Sequence, residues 1–126
     1  MFKVLLVEDN VDFRHSLNKS LMLCFPAMVI AESADGKDAM VKIDYFKPDL
    51  VFMDIKLPDE NGLNLTKNIK AEHSDIAVIV MTANDAPEYY RAAYQAGATY
   101  FIDKGSVSME KIPAIVEAIL GSKVCH

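Results

Sequence analysis

The chain has 126 residues with a formal net charge of -5, and 25% of its residues are charged while 52% are hydrophobic. This length fits a single domain, and the composition is that of a folded globular protein rather than a disordered chain. The negative net charge argues against a non-specific nucleic-acid or anionic-membrane surface, because binding to polyanions needs clustered lysine and arginine.

The N-terminus and the cysteines indicate a protein of the cytoplasm. The chain begins MFKVLLV, without the basic start and extended apolar region of a signal peptide. Its apolar runs are too short to cross a bilayer. Cys24 and Cys125 lie far apart in unlike contexts. A disulfide framework is therefore not expected, and a reducing compartment fits.

Five short apolar runs recur along the chain and predict five strands. They are VLLV (4–7), MVIA (28–31), LVFM (50–53), IAVIV (76–80) and YFI (100–102). Each run is continuous rather than alternating, which is typical of strands covered by helices on both faces.

The segments between and after these runs carry apolar residues at helical spacing and predict five helices. We expect Cys24 and the methionines to fill the core. Asp85, just before Pro87, is predicted to cap the fourth helix, and the last helix, which contains Pro113, is predicted to begin near Lys111. The apolar stripes are Phe13, Leu17, Leu21 and Cys24; Ala39, Ile43 and Phe46; Leu65 and Ile69; Ala92, Ala93 and Ala96; and Ile112, Ile115, Val116 and Ile119.

The regular alternation of strand and helix predicts a doubly wound α/β fold with a parallel sheet and helices on both faces. In such a fold the functional crevice lies outside the carboxyl ends of the strands, near the point where strand order reverses. Polar residues stand at these ends after four of the five predicted strands. They are Glu8, Asp9, Asp54, Thr82, Asp103 and Lys104.

The chemistry of this set points to phosphoryl transfer. Carboxylates packed together repel one another unless a cation lies among them, and Mg²⁺ prefers such oxygen ligands. Lys104 and Thr82 add an ammonium and a hydroxyl, the groups that neutralise and hydrogen-bond a phosphoryl oxygen. The set therefore predicts a site in which a carboxylate nucleophile accepts a phosphoryl group.

Four segments in order resemble the receiver domain of two-component response regulators, the CheY-like family. They are LLVEDN (5–10), VFMDIKLPDENG (51–62), VIVMTAN (78–84) and AGATYFIDK (96–104). The resemblance covers essentially the whole chain and implies a flavodoxin-like sheet with strand order 2-1-3-4-5. Residues 1–121 would form the receiver domain, and residues 122–126 a C-terminal tail or the start of a linker.

The resemblance also implies a role for each site residue. Asp54 would be the phospho-acceptor, and Mg²⁺ would be held by Glu8, Asp9, Asp54 and the backbone carbonyl of Lys56. Lys104 would contact the phosphoryl group.

Two further residues would form the family's switch. Thr82 would move to hydrogen-bond the phosphoryl group while Phe101 turns inward. The chain departs from the common pattern at three positions: Glu8 replaces a second aspartate, Phe101 lacks the hydroxyl of the commoner tyrosine, and Gly105 replaces a proline. The last change makes a cis peptide bond after Lys104 doubtful.

The partners implied by the resemblance are a histidine kinase or a phosphotransfer protein and, in a longer chain, a C-terminal output domain that could act in transcription. A homodimer could form through the face of helix 4, strand 5 and helix 5, where Tyr90, Tyr94 and Tyr100 are expected. The domain itself would contact neither nucleic acid nor membrane. It would be a signalling domain that catalyses only its own phosphorylation and dephosphorylation.

Alternative functions have weaker support in the residues. An unphosphorylated receiver-like module would have no need of Asp54, Thr82 and Lys104 together. An aspartyl-nucleophile phosphohydrolase of the haloacid-dehalogenase type would need a second aspartate where Lys56 stands. A flavodoxin-like cofactor site would need a phosphate loop in place of the acidic EDNVD. The three histidines, His15, His73 and His126, have no metal-ligand spacing and are expected at the surface.

Overall fold

The computed structural model describes residues 2–83 and 87–124, over which strands and helices alternate. Each of the five predicted strands and five predicted helices is present, together with one short 3-10 turn. In chain order the elements are β1 (Lys3–Val7), α1 (Val11–Cys24), β2 (Val29–Ser33), α2 (Gly36–Phe46), β3 (Leu50–Asp54), α3 (Gly62–Glu72), β4 (Ala77–Thr82), α4 (Pro87–Gln95), β5 (Tyr100–Asp103), the 3-10 turn (Met109–Lys111) and α5 (Ile112–Val124).

The five strands form one parallel sheet in the order β2-β1-β3-β4-β5. This confirms the predicted doubly wound fold and its flavodoxin-like strand order. The order reverses between β1 and β3, whose register pairs Val7 with Met53. The residues that follow these two strands therefore meet at one edge of the sheet, where a crevice is expected.

The sheet has a hydrophobic cluster on each face, because successive side chains of a strand point to opposite sides. On one face Leu6 and Phe52 pack with Leu17 of α1 and Val116 of α5. On the other face Leu5, Val51 and Val80 pack with buried residues of α2, α3 and α4, among them Ile43, Ile69 and Ala93. Every residue of β3 and β4 is buried, which explains the continuous apolar runs at these strands.

Side-chain caps mark the starts of three helices. Asn10, Asp35 and Asn61 accept hydrogen bonds from backbone N–H groups in the first turns of α1, α2 and α3, at 2.9, 2.8 and 2.7 Å. The predicted cap Asp85 lies outside the described residues. Pro113 is the second residue of α5, where a proline is tolerated. The preceding 3-10 turn ends at Lys111 and α5 begins at Ile112, which agrees with the predicted helix start near Lys111.

The prediction that Cys24 fills the core is wrong, because this thiol is exposed at the end of α1. The helix stops at Cys24, and the next residue, Phe25, packs against the core instead. The same prediction is wrong for Met22, whose side chain is 39% exposed, whereas Met28, Met53 and Met81 are buried.

The last helix extends close to the end of the chain. Helix α5 runs to Val124, so residues 122–124 continue it, while Cys125 and His126 lie outside the described residues. The domain boundary at residue 121 stays a prediction. No helix in the described part of the chain has both the length and the apolar character of a membrane span.

Candidate functional site

Three carboxylates come together at the carboxyl edge of the sheet. Glu8 and Asp9 directly follow β1, and Asp54 is the last residue of the neighbouring strand β3. One carboxylate oxygen from each of the three lies within 4.8 Å of the others. Glu8 and Asp54 are buried, whereas Asp9 is exposed. The three residues form an acidic pocket, and Asp9 marks its solvent side.

Lys104 supplies the positive charge of the acidic pocket. Its Nζ donates to Glu8 Oε1 at 2.6 Å and lies 3.5 Å from Asp54 Oδ2, and it also stands 4.7 Å from the centroid of the Phe13 ring. The backbone N–H of Lys104 donates to the carbonyl of Thr82 at 2.8 Å, which joins the ends of β4 and β5. The second oxygen of the buried Glu8 carboxylate, Oε2, accepts the Asn10 N–H at 3.0 Å, so both oxygens of this carboxylate have hydrogen-bond partners.

Burial raises the pKa of Asp54 to about 7, and the hydrogen bond and charge of Glu8 contribute to the rise. The Lys104 ammonium and the Lys56 backbone N–H, which donates to the Asp54 carboxylate, lower the pKa but do not offset the burial. Without a further cation, Asp54 therefore holds a proton at neutral pH more readily than a solvated aspartate does. A cation in the pocket would favour the charged carboxylate.

The acidic pocket fits Mg²⁺ in the kind and number of its donors. Mg²⁺ is bound in proteins through one or two carboxylates and keeps several waters or phosphate oxygens. Glu8, Asp9 and Asp54 offer oxygen atoms at a spacing that one ion can bridge. The exposed side at Asp9 leaves room for the other ligands.

The predicted residues Thr82 and Lys56 lie at the end of β4 and just past the end of β3. Thr82 is buried as the last residue of β4. Lys56 lies two residues past Asp54, where it pairs with Asn61 in an isolated bridge. This bridge closes the loop between β3 and α3.

Phe101 and Asp103 lie on β5. Phe101 is half-buried, and its ring centroid lies 5.6 Å from that of Tyr90. Asp103 is not one of the three clustered carboxylates, and its Oδ1 accepts the Gly105 N–H at 2.9 Å. The peptide bond between Lys104 and Gly105 is trans.

Sequence reasoning missed two residues that contact the pocket. Phe13 was predicted only as part of an apolar stripe, yet its ring faces the Lys104 ammonium. Arg14 donates from Nη1 to the carbonyl of Glu8 at 2.6 Å. The sequence offered little indication of this contact. Arg14 is a charged residue close to Glu8 and Asp9 in the chain, but its second partner, Glu32, lies on β2 and is distant in sequence.

The histidines of the described residues lie away from the acidic pocket. His15 is exposed on α1, and His73 has its Nε2 3.8 Å from Asp44. Neither joins the cluster of possible metal ligands.

Comparison with known proteins identifies the family. A family model described as the response regulator receiver domain matches residues 4–117. The chain belongs to this family. As a receiver domain it is a module of two-component signal transduction, and the resemblance seen in the sequence is confirmed.

The receiver domain is similar to parts of longer proteins. It is 30% identical over 123 residues to the response regulator GacA of Pseudomonas syringae, covering 98% of this chain and 58% of that protein. It is 28% identical over 121 residues to the DNA-binding transcriptional activator DevR/DosR of Mycobacterium tuberculosis, covering 96% and 56%. The chain thus spans little more than half the length of these curated relatives.

A solved structure of similar size confirms the fold. It is a two-component response regulator from Clostridium difficile, which superposes with a TM-score of 0.90 at 25% identity and covers 98% of each chain.

Proposed function

We propose that this receiver domain accepts a phosphoryl group on Asp54 from a histidine kinase or a phosphotransfer protein, in a reaction that depends on Mg²⁺. The observation that carries the proposal is the acidic pocket with the ammonium of Lys104 beside it. A buried aspartate lies 3.5 Å from Lys104, and its carboxylate clusters with those of Glu8 and Asp9 within 4.8 Å.

The transfer would leave the phosphoryl group bound to the carboxylate. An oxygen of Asp54 would form a bond to phosphorus as the bond from phosphorus to the donor's imidazole nitrogen breaks, and the imidazole would then take a proton from water. Lys104 would exchange its contact with Glu8 for one with a phosphoryl oxygen and so offset the added charge. Water would later hydrolyse the aspartyl phosphate and release inorganic phosphate, so the domain would act on itself alone.

Glu8, Asp9, Asp54 and the backbone carbonyl of Lys56 would hold Mg²⁺. The ion would supply positive charge against the carboxylates and the phosphoryl oxygens. Charge neutralisation and positioning are the contributions that phosphoryl transfer needs most from a protein.

Phosphorylation would be read out through Thr82 and Phe101. Thr82 is buried at the end of β4, and its carbonyl is hydrogen-bonded to the residue that would contact the phosphoryl group, Lys104. A shift of the Thr82 hydroxyl toward the phosphoryl group would allow Phe101 to turn inward. Because Tyr90 packs on Phe101 at 5.6 Å and on Tyr94 at 5.0 Å, the movement would reach the surface of α4 and β5. The two states would differ in population rather than in fold.

Phosphorylation of Asp54 is tested with Mg²⁺ and a small phosphodonor such as acetyl phosphate. The parent chain is expected to gain one phosphoryl group, which intact mass measures and peptide mapping assigns to Asp54. Omission of Mg²⁺ should abolish the gain. Asp75→Asn, a change at an exposed aspartate outside the pocket, should leave it intact. A parent that gains no phosphoryl group, or a gain that persists in Asp54→Asn, would refute the proposal.

The face of α4, β5 and α5 would bind a partner, which could be a second copy of the domain. Tyr90, Tyr94 and Tyr100 leave 57%, 39% and 41% of their surface exposed here. Tyr94→Glu is expected to weaken association of the phosphorylated form, because a charge would be desolvated on binding, and to leave the phosphorylation rate unchanged. Sedimentation of the phosphorylated proteins measures association, and Tyr45→Glu on α2 is the matched control. Equal association of parent and Tyr94→Glu would exclude this face.

In a longer chain the receiver domain would control an output domain, which could bind DNA. The support is that this chain covers only 58% and 56% of two curated relatives, and that the second of them is named a DNA-binding transcriptional activator. The receiver domain itself carries a net charge of -5 and would not contact nucleic acid. We place this function in the cytoplasm.

A further inference from the structure

Arg14 ties the backbone of Glu8 to two other elements. It lies in the first turn of α1, where its backbone N–H donates to the Asn10 carbonyl at 3.0 Å. From there its guanidinium donates through Nη1 to the Glu8 carbonyl at 2.6 Å and through Nε to Glu32 Oε1 at 2.6 Å. The Arg14 side chain is only 17% exposed. One planar group thus joins the end of β1 to β2 from the side of α1.

Glu32, the second partner of Arg14, is itself held in place. Its Oε2 accepts from Asn18 Nδ2 at 2.6 Å, and its backbone carbonyl accepts a hydrogen bond from Lys42 Nζ. The next residue, Ser33, accepts the Glu8 N–H at its carbonyl at 3.0 Å. The N–H of Glu8 is therefore fixed by β2, and its C=O is fixed by Arg14.

We propose that Arg14 is a positioning residue of the acidic pocket: by fixing the Glu8 backbone it sets the affinity of the pocket for Mg²⁺. The inference rests on the proposed function, since it takes Glu8 and Asp9 as the groups that hold the ion. The Glu8 carbonyl belongs to the peptide bond between Glu8 and Asp9. The orientation of this peptide therefore sets the positions of the two Cα atoms from which the Glu8 and Asp9 side chains extend. Groups that orient metal ligands in this way typically change metal affinity by roughly 10–100-fold when they are replaced.

Because Arg14 is charged, the direction in which its replacement changes Mg²⁺ affinity distinguishes a positioning role from a purely electrostatic one. A guanidinium near the pocket repels a bound cation, so removal of the charge by itself would strengthen Mg²⁺ binding. Loss of the hydrogen bond to Glu8 would weaken it. The two effects have opposite signs, and positioning predicts that the weakening is larger. A lysine keeps the charge but cannot reproduce two N–H donors held in one rigid plane and directed at two separate acceptors, Glu8 and Glu32.

The test is a titration of the whole chain with Mg²⁺ alone, followed by the amide NMR signals of Asp9 and Ile55. Arg14→Gln and Arg14→Lys are expected to weaken Mg²⁺ binding by at least about tenfold. Arg91→Gln makes the same charge change at an exposed residue of α4 and should bind like the parent. Mg²⁺ affinity in Arg14→Gln that equals or exceeds that of the parent would overturn the inference.

Arg14→Lys, which keeps the positive charge, carries the test if Arg14→Gln does not fold, supplemented by Glu32→Gln. It removes one partner of the same contact and should also weaken Mg²⁺ binding, while parent-like binding in both Glu32→Gln and Arg14→Lys would count against the inference. If the two residues act as a unit, Arg14→Gln combined with Glu32→Gln should bind no more weakly than Arg14→Gln alone. If the parent does not bind Mg²⁺, the proposed function fails together with this inference. If the parent binds Mg²⁺ and is phosphorylated but the Arg14 variants bind Mg²⁺ equally well, only the inference about Arg14 fails.

Discussion

Replacement of Gly62 by alanine should damage the acidic pocket through the backbone of Asp54. Gly62 is the first residue of α3 and is buried. A Cβ at this position would lie 2.0 Å from the Asp54 carbonyl oxygen and 2.8 Å from the Asp54 carbonyl carbon, and real contacts of a Cβ begin at about 3.0 Å. Both atoms belong to the main chain, so no side-chain rotation relieves the clash. Either α3 or the end of β3 must move.

The expected cost follows from the contacts that such a movement would disturb. Overpacking of a buried site costs about 1–3 kcal/mol, and the loss of one backbone hydrogen bond adds about 1 kcal/mol. The bonds at risk are Gly62 N–H to the Ile55 carbonyl at 2.7 Å and Ile55 N–H to the Met81 carbonyl at 3.0 Å. We therefore expect Gly62→Ala to lower the free energy of unfolding by about 2–4 kcal/mol and to slow phosphorylation of Asp54.

Gly121 provides a matched control with the opposite sign. It lies in α5, and an added Cβ there would meet nothing within 4 Å. Alanine in a helix is more favourable than glycine by up to about 1 kcal/mol, so Gly121→Ala should stabilise the domain. Urea unfolding followed by far-ultraviolet circular dichroism measures both variants. If Gly62→Ala unfolds at the same urea concentration as the parent, the close approach of α3 to Asp54 does not constrain residue 62.

Asp54→Asn is expected to be more stable than the parent above pH 7 in metal-free buffer and to lose this advantage below pH 3.8. The pKa of Asp54 rises from 3.8 to about 7 on folding, so the native state binds more protons and parent stability falls as the pH rises through this window. Urea unfolding at both ends of the window measures the difference, and a difference independent of pH would contradict the assignment. Cys24→Ser is expected to change the free energy of unfolding by less than about 0.5 kcal/mol, because Cys24 is exposed, while Leu17→Ala at a fully buried position of α1 should cost about 2–5 kcal/mol. Thermal unfolding checks both, and a large loss in Cys24→Ser would show that its side chain is packed after all.

The fold could be predicted from the sequence because strands buried on both faces leave a continuous apolar signature. LVFM and IAVIV become the fully buried strands β3 and β4 for this reason. The ends of the strands were harder to predict from the sequence, because a polar residue interrupts an apolar run whether or not the strand ends there. Asp54, Thr82 and Asp103 are accordingly the last residues of strands, although the apolar runs stop before them.

The acidic pocket could be predicted in part. Parallel strands bring their carboxyl ends to one edge, so Glu8, Asp9, Asp54 and Lys104 had to lie near one another once the fold was known. Periodicity was misleading at Cys24, because helical spacing assigns a residue to a face but does not say where the helix leaves the core. The residue after the helix, Phe25, packs against the core instead.

The sequence by itself determined the alternation of elements, the two covered faces of the sheet and the set of polar residues at its carboxyl edge. These are properties of single residues and their near neighbours, which composition and spacing record directly. Only the tertiary structure decided which of these residues pair. Lys104 donates to Glu8 at 2.6 Å and lies 3.5 Å from Asp54, and Arg14 links Glu8 to Glu32. Such contacts join residues distant in the chain, and they depend on the position of each backbone and the reach of each side chain, which no local pattern encodes.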